Sequence, residues 1–241
     1  MSVLGHRLRA YVRPSSAFDP GSITGLQLWF DAADASSFTY HSGVVVSQWN
    51  DKSGNARHAV QATSGVSPDR NGTQNSLTTV VFNGGKWMNN TGYALPTNAT
   101  IFVVGNRTSG GPSEYMQFIS GHTNNWTLYS GGNPQYMILR TVPGAVLAQS
   151  TTSPTGGTTY LITGKLSPTA GSIRIDRTLE HSDTVANTLS GTGFAVGAGA
   201  HDGQYPATGG MLAEMLVYDS VLGSTDTDSV ETYLRDKWGT A

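Results

Sequence analysis

The sequence predicts an all-β protein, two antiparallel sheets packed face to face as a sandwich, and three observations carry that expectation. Charged residues make up 12% of the 241-residue chain, against roughly 25% in an ordinary soluble domain, while Gly alone supplies 30 positions. From residue 25 onward apolar residues recur mostly with a period of two, the spacing of a half-buried strand. Between these runs lie clusters of Gly, Pro, Asn and Ser, which are turn formers, and almost no helical spacing. Low charge with low hydrophobicity is not the composition of a disordered chain, which needs high net charge and few aromatics.

Residues 1–22 stand apart. His6, Arg7, Arg9 and Arg13 all precede the first acid, Asp19, and Pro14 and Pro20 disfavour helix before them. Val3, Leu4, Leu8, Tyr11 and Val12 lie among these bases, and a purely solvated tail has little use for them. The segment reads either as a frayed terminus or as an arm that docks on a partner, with Arg7, Arg9, Tyr11 and Arg13 as its contacts. Residues 23–241 read as one domain, since neither a linker nor an internal repeat interrupts them.

Within that domain Leu26, Leu28 and Phe30 alternate with Gln27, Trp29 and Asp31. Similar runs follow at 44–49, 78–82, 100–104, 115–119, 126–129, 136–139, 159–163, 172–176 and 211–218, rich in β-branched and aromatic residues. One helix closes the chain. Ser224 reads as its N-cap, Asp226 and Asp228 lie in the first turn, and Arg235 and Lys237 in the last. Val230, Tyr233, Leu234 and Trp238 share one apolar stripe, and Gly239 is the stop.

The absence of Cys excludes disulfides, thiol nucleophiles and Cys-ligated metals. A net charge of −2 argues against a nucleic-acid partner, and no window reaches the roughly 18 apolar residues of a membrane helix. Arg7, Arg9 and Arg13 break up the N-terminus, so no ordinary secretion leader is expected there.

The strings LQLWFDAADA (26–35), VSQWNDKSGNARHAVQ (46–61), VFNG (81–84), LAEMLVYD (212–219) and YLRDKWG (233–239) together resemble the concanavalin A-like lectin/glucanase superfamily, in its laminin-G-like branch. The resemblance spans about residues 25–239 and implies a two-sheet jelly roll of the kind found in tailed-phage structural proteins and bacterial surface proteins. It also implies an edge Ca²⁺ site, for which Asp31, Asp34 and Asp51 are the candidates, although all three read equally well as turn residues. At Asp176-Arg177 the chain departs from the Asn-Gly hairpin that many such domains carry.

Catalytic patterns are missing. Glycoside hydrolysis needs two carboxylates on one sugar, and Glu occurs only at 114, 180, 214 and 231, each isolated from the others. Glu214, inside an apolar strand, reads as a structural acceptor. The chain has no G-x-S-x-G elbow, phosphate loop or H-E-x-x-H, and its six His are scattered, so no cofactor is expected. Two loops have the ingredients of glycan contact, an aromatic beside amides or acids: Asn124, Asn125 and Trp126 in one, His201, Asp202 and Tyr205 in the other.

These readings converge on a non-enzymatic protein of a virion surface, a capsid-decorating or tail-associated phage component. Its arm would bind other virion proteins, its loops surface glycans, and its copies, as trimers, would act by avidity. The alternative is a free or cell-surface lectin or adhesin, and a polysaccharide hydrolase comes last.

Overall fold

The computed structural model describes residues 18–108, 115–122, 125–131, 136–141, 144–184, 186, 189–199 and 207–241. The arm contacts Arg7, Arg9, Tyr11 and Arg13 lie outside them. In chain order the first strands are β1 (Leu26–Asp31), β2 (Phe38–Ser42), β3 (Val45–Trp49), β4 (Ala59–Val60), β5 (Asp69–Gln74), β6 (Leu77–Val81), β7 (Met88–Asn90) and β8 (Ala99–Arg107). Then come β9 (Met116–Gly121), β10 (Trp126–Gly131), β11 (Tyr136–Thr141), β12 (Val146–Gln149), β13 (Tyr160–Ser167), β14 (Ala170–Ile175) and β15 (Thr178–Asp183). The chain ends with β16 (Phe194–Val196), β17 (Gly210–Tyr218) and the helix α1 (Ser224–Trp238).

The all-β prediction with one C-terminal helix holds, but the two-sheet jelly roll does not. All 17 strands among the described residues belong to one hydrogen-bonded sheet. Its antiparallel path runs from β15 through β14, β13, β8, β17, β6, β5, β3, β4, β7, β16, β9, β10 and β11 to β12. The two ends approach each other, β12 lying against β14 and β15, so the sheet is a flattened and nearly closed barrel. The physical reason is local. Alternation fixes which face of a strand is apolar, but whether two sheets share an edge depends on a few pairings. Here Val45 opposite Asp69 joins β3 to β5, and Val60 opposite Asn89 joins β4 to β7.

Inside the flattened barrel Phe30, Trp49, Phe82, Phe118, Trp126 and Phe194 pack with aliphatic neighbours, while Phe102, opposite Thr163, lies on the side that α1 covers. β8 and β17 are buried along their whole length, because α1 covers the face that points away from that core. The helix buries Thr227, Val230, Glu231, Leu234 and Trp238. Gly239 ends it in the left-handed region at φ 67°, as predicted, while the N-cap is Gly223 rather than Ser224 and carries no side-chain cap.

Two hairpins turn on non-glycine residues with positive φ. Asn75 and Ser76 (φ 48° and 63°) join β5 to β6, and Asp176 and Arg177 (φ 46° and 69°) join β14 to β15. These are the dihedrals for which Asn-Gly and Asp-Gly are preferred. Ser76 is exposed. Ser76→Gly is therefore expected to stabilise the fold by about 0.5 kcal/mol, the left-handed relief less the entropy of an added glycine. A raised urea midpoint at unchanged slope would show it.

Candidate functional site

The three aspartates predicted as metal ligands are held by cations and backbone donors. Asp31 and Glu214 face each other across β1 and β17, and Lys237 from α1 binds both, at 2.8 Å and 2.6 Å. Lys52 bridges Asp31 and Asp34 at 3.0 Å and 2.8 Å, with its ammonium over the Trp29 ring. The hydrogen bond and charge of Lys52 hold the Asp34 carboxyl down to about 2. Burial pulls the Lys52 ammonium down, but Asp34 and Asp31 outweigh it and leave it raised. Asp51 organises the loop after β3, accepting from the backbone N–H groups of Trp29, Ser53 and Arg57 and from the Ser53 hydroxyl. Among the described residues no group of three or more His, Asp or Glu is placed to hold a metal ion.

Glu214 has no exposed surface. Its Oε1 accepts from Trp29 Nε1 (2.7 Å) and the Tyr233 hydroxyl (2.9 Å), and its Oε2 from Lys237 Nζ (2.6 Å) and Trp238 Nε1 (2.7 Å). Burial, and then the neighbouring Asp31, raise its carboxyl above the ordinary range, while Lys237 and Trp238 oppose the rise. Burial and the same carboxylate raise the Tyr233 hydroxyl. Asp31 and Glu214 are thus adjacent acids, but a carboxylate sealed from solvent and saturated by four donors cannot reach a sugar. The pair ties β1, β17 and α1 together.

The two predicted glycan loops divide. Asn124, His201, Asp202 and Tyr205 lie outside the described residues. Asn125 and Trp126 are buried, and Trp126 points into the core with its Nε1 donating to the Pro96 carbonyl at 2.9 Å. Asn125 Oδ1 accepts from the Trp126 backbone at 2.8 Å, which makes it a turn acceptor. Neither side chain is presented to a ligand.

The structure instead shows a face that sequence reading passed over, largely buried but open at Tyr115. Register pairs Thr127 with Arg140, Tyr129 with Ile138 and Gly131 with Tyr136, so these side chains share the side of β10 and β11 away from the core. Gln117 of β9 lies opposite Tyr129 and accepts from the Thr127 hydroxyl at 3.1 Å. Tyr115, just before β9, lies over Gly131, where any side chain would run into its ring. The Tyr115 and Tyr129 rings are 6.2 Å apart, and the Arg140 guanidinium lies 5.9 Å from the Tyr129 ring. Tyr115 is 37% exposed and Tyr129 8%, so the first ring is open and the second backs it. The signal available in the sequence was the alternation Thr127, Tyr129, Gly131, whose glycine leaves room for a neighbouring ring.

No family model matches the chain, and no curated protein matches it. Solved structures do. An arabinofuranosidase complexed with arabinofuranosyl-α-1,2-xylobiose is 16% identical with a TM-score of 0.62, covering 79% of this chain and 50% of its own. Trypanosoma rangeli sialidase in complex with sialic acid is 14% identical with a TM-score of 0.61, covering 91% and 34%. The binding domain of Paraclostridial Mosquitocidal Protein 1 is 9% identical with a TM-score of 0.62, covering 92% and 56%. At these identities the likeness is one of fold, and the chain spans between about a third and a little over half the length of these proteins.

The fold is therefore one that parts of an arabinofuranosidase, a sialidase and a toxin's binding domain share. That finding corrects three expectations. The resemblance to the laminin-G-like branch of the lectin superfamily gives way to glycosidase neighbours. A non-enzymatic phage surface protein gives way to a fold shared with glycoside-processing enzymes, and a free lectin fits those neighbours no better. The expectation of no enzymatic role rested on carboxylate spacing along single strands, a pattern that says nothing of acids brought together from separate elements.

Proposed function

We propose that this chain is a carbohydrate-engaging domain of a glycoside-processing enzyme, with the outward face of β9, β10 and β11 as its glycan contact. The observation that carries this reading is the open Tyr115 ring backed by the buried Tyr129, with the half-buried Arg140 guanidinium on the far side of Tyr129. A pyranose or furanose ring offers one apolar face and a rim of hydroxyls. The open Tyr115 ring matches the apolar face, and the guanidinium beyond Tyr129 can meet the rim of a sugar that extends along the face. The arabinofuranosidase and sialidase neighbours support the assignment to carbohydrate-active enzymes.

The test has two arms. Amide chemical shifts followed during titration with arabinoxylan oligosaccharides and sialyllactose are expected to move on β9–β11. Tyr115→Ala is expected to weaken that binding about tenfold, a loss of one stacked ring, with little change in stability at so exposed a position. Release of reducing sugar from the same substrates reads the enzymatic part. Shifts confined to another surface, or undiminished binding by Tyr115→Ala, would overturn the assignment of this face.

A further inference from the structure

Resting on that reading, we infer that the glycan this face prefers is acidic, a sugar bearing a carboxylate, with Arg140 as the residue that selects it. The strands β9, β10 and β11 contain no Asp or Glu, and Arg140 is the one charged residue in them. Arginines on this protein are otherwise occupied where they border structure. Arg174 binds Glu231 at 3.0 Å, Arg70 donates to the Ala32 carbonyl at 3.0 Å, and Arg57 donates to Gln27. Arg140 has no hydrogen bond or ion pair among the described residues, and its Nε is buried without a partner.

A half-buried guanidinium with an idle edge is costly in a folded protein unless something completes it. Here it lies 5.9 Å from the buried Tyr129 ring, which is in turn 6.2 Å from the open Tyr115 ring, so a ligand stacked on Tyr115 and reaching across Tyr129 would bring its rim to Arg140. The planar fork of a guanidinium matches a carboxylate with two parallel hydrogen bonds, which a neutral hydroxyl cannot reproduce. Uronic and sialic acids supply that same carboxylate.

The experiment compares matched pairs by calorimetry at low salt: trigalacturonic acid against its methyl ester, and 3′-sialyllactose against lactose. The acid of at least one pair is expected to bind about tenfold tighter than its neutral partner, and the pair that shows it identifies the source. Arg140→Gln is expected to erase that preference, the acid losing about tenfold more affinity than its neutral partner. Arg140→Lys, which keeps the charge but loses the fork, is expected to fall between, and thermal melts confirm that both variants fold. Salt at about 0.5 M should weaken only the acid. Equal affinities within both pairs, or an Arg140→Gln effect shared by acid and neutral sugar, would overturn the acidic preference and leave the glycan face standing. No binding by any of the four sugars would overturn both.

Discussion

Replacing Glu214 with glutamine is expected to destabilise the protein by about 3–5 kcal/mol, although the side chain keeps its shape. Four donors converge on this carboxylate, two of them Trp29 and Trp238 and one the Lys237 ammonium. Glutamine offers one acceptor oxygen and an NH₂ group, and that group must face either the Trp29–Tyr233 pair or the Lys237–Trp238 pair. Either way a pair of buried donors meets an NH₂ group in place of its acceptor, and when that pair is Lys237 and Trp238 the ammonium keeps only Asp31 and the Tyr233 hydroxyl. Urea unfolding at neutral pH measures the loss. Lys237→Met should also cost stability, and the double variant should cost less than the two singles together, because each removes the other's partner. If Glu214→Gln were as stable as the natural chain, the carboxylate would not be the joint between β1, β17 and α1.

The second large effect concerns Trp126. Trp126→Ala is expected to cost about 3–5 kcal/mol, since the indole is fully buried and donates to the Pro96 carbonyl. A tryptophan serving a ligand from a loop would behave in the opposite way, with binding weakened and stability kept. Denaturation of this variant beside Tyr115→Ala therefore separates core from surface: the first should unfold readily, the second should melt near the natural chain. A stable Trp126→Ala would mean that the indole does not occupy the core.

What sequence alone discloses depends on the range of the interaction. The helix is legible because its signals are local: an apolar stripe at 230, 234 and 238, bases in the last turn, and Gly239, whose left-handed φ of 67° a glycine takes at no cost. Ten of the strands are legible from alternation, within a few residues at their ends, whereas β2, β4, β5, β7, β12, β15 and β16 are too short or too polar to show it. Glu214 is legible as a satisfied acceptor because an acid in LAEMLVYD must find donors, but Trp29, 185 positions away, could not be named. The sheet's closure is not legible. It rests on isolated pairings such as Val60 with Asn89, which leave no periodic trace. The Tyr115–Tyr129–Arg140 face is hidden for a related reason. Each residue looks ordinary in its own strand, and only the register of β10 with β11 sets them side by side.

The near-closure of the sheet bears on how the molecule keeps company with copies of itself. An open sheet presents two unpaired edges, each a template on which another chain can add a strand. Here the long path turns back on itself until β12 lies against β14 and β15, so that template is largely folded away. Val146 on β12 and Leu179 on β15, 44% and 57% exposed, mark the seam where it remains. With only 12% of its residues charged, the chain has little electrostatic repulsion to keep neighbours apart. Shape takes over much of that duty, and among the described residues strand-to-strand association between molecules would begin at this seam or on the free edges of β1 and β2, each of which pairs on one side alone.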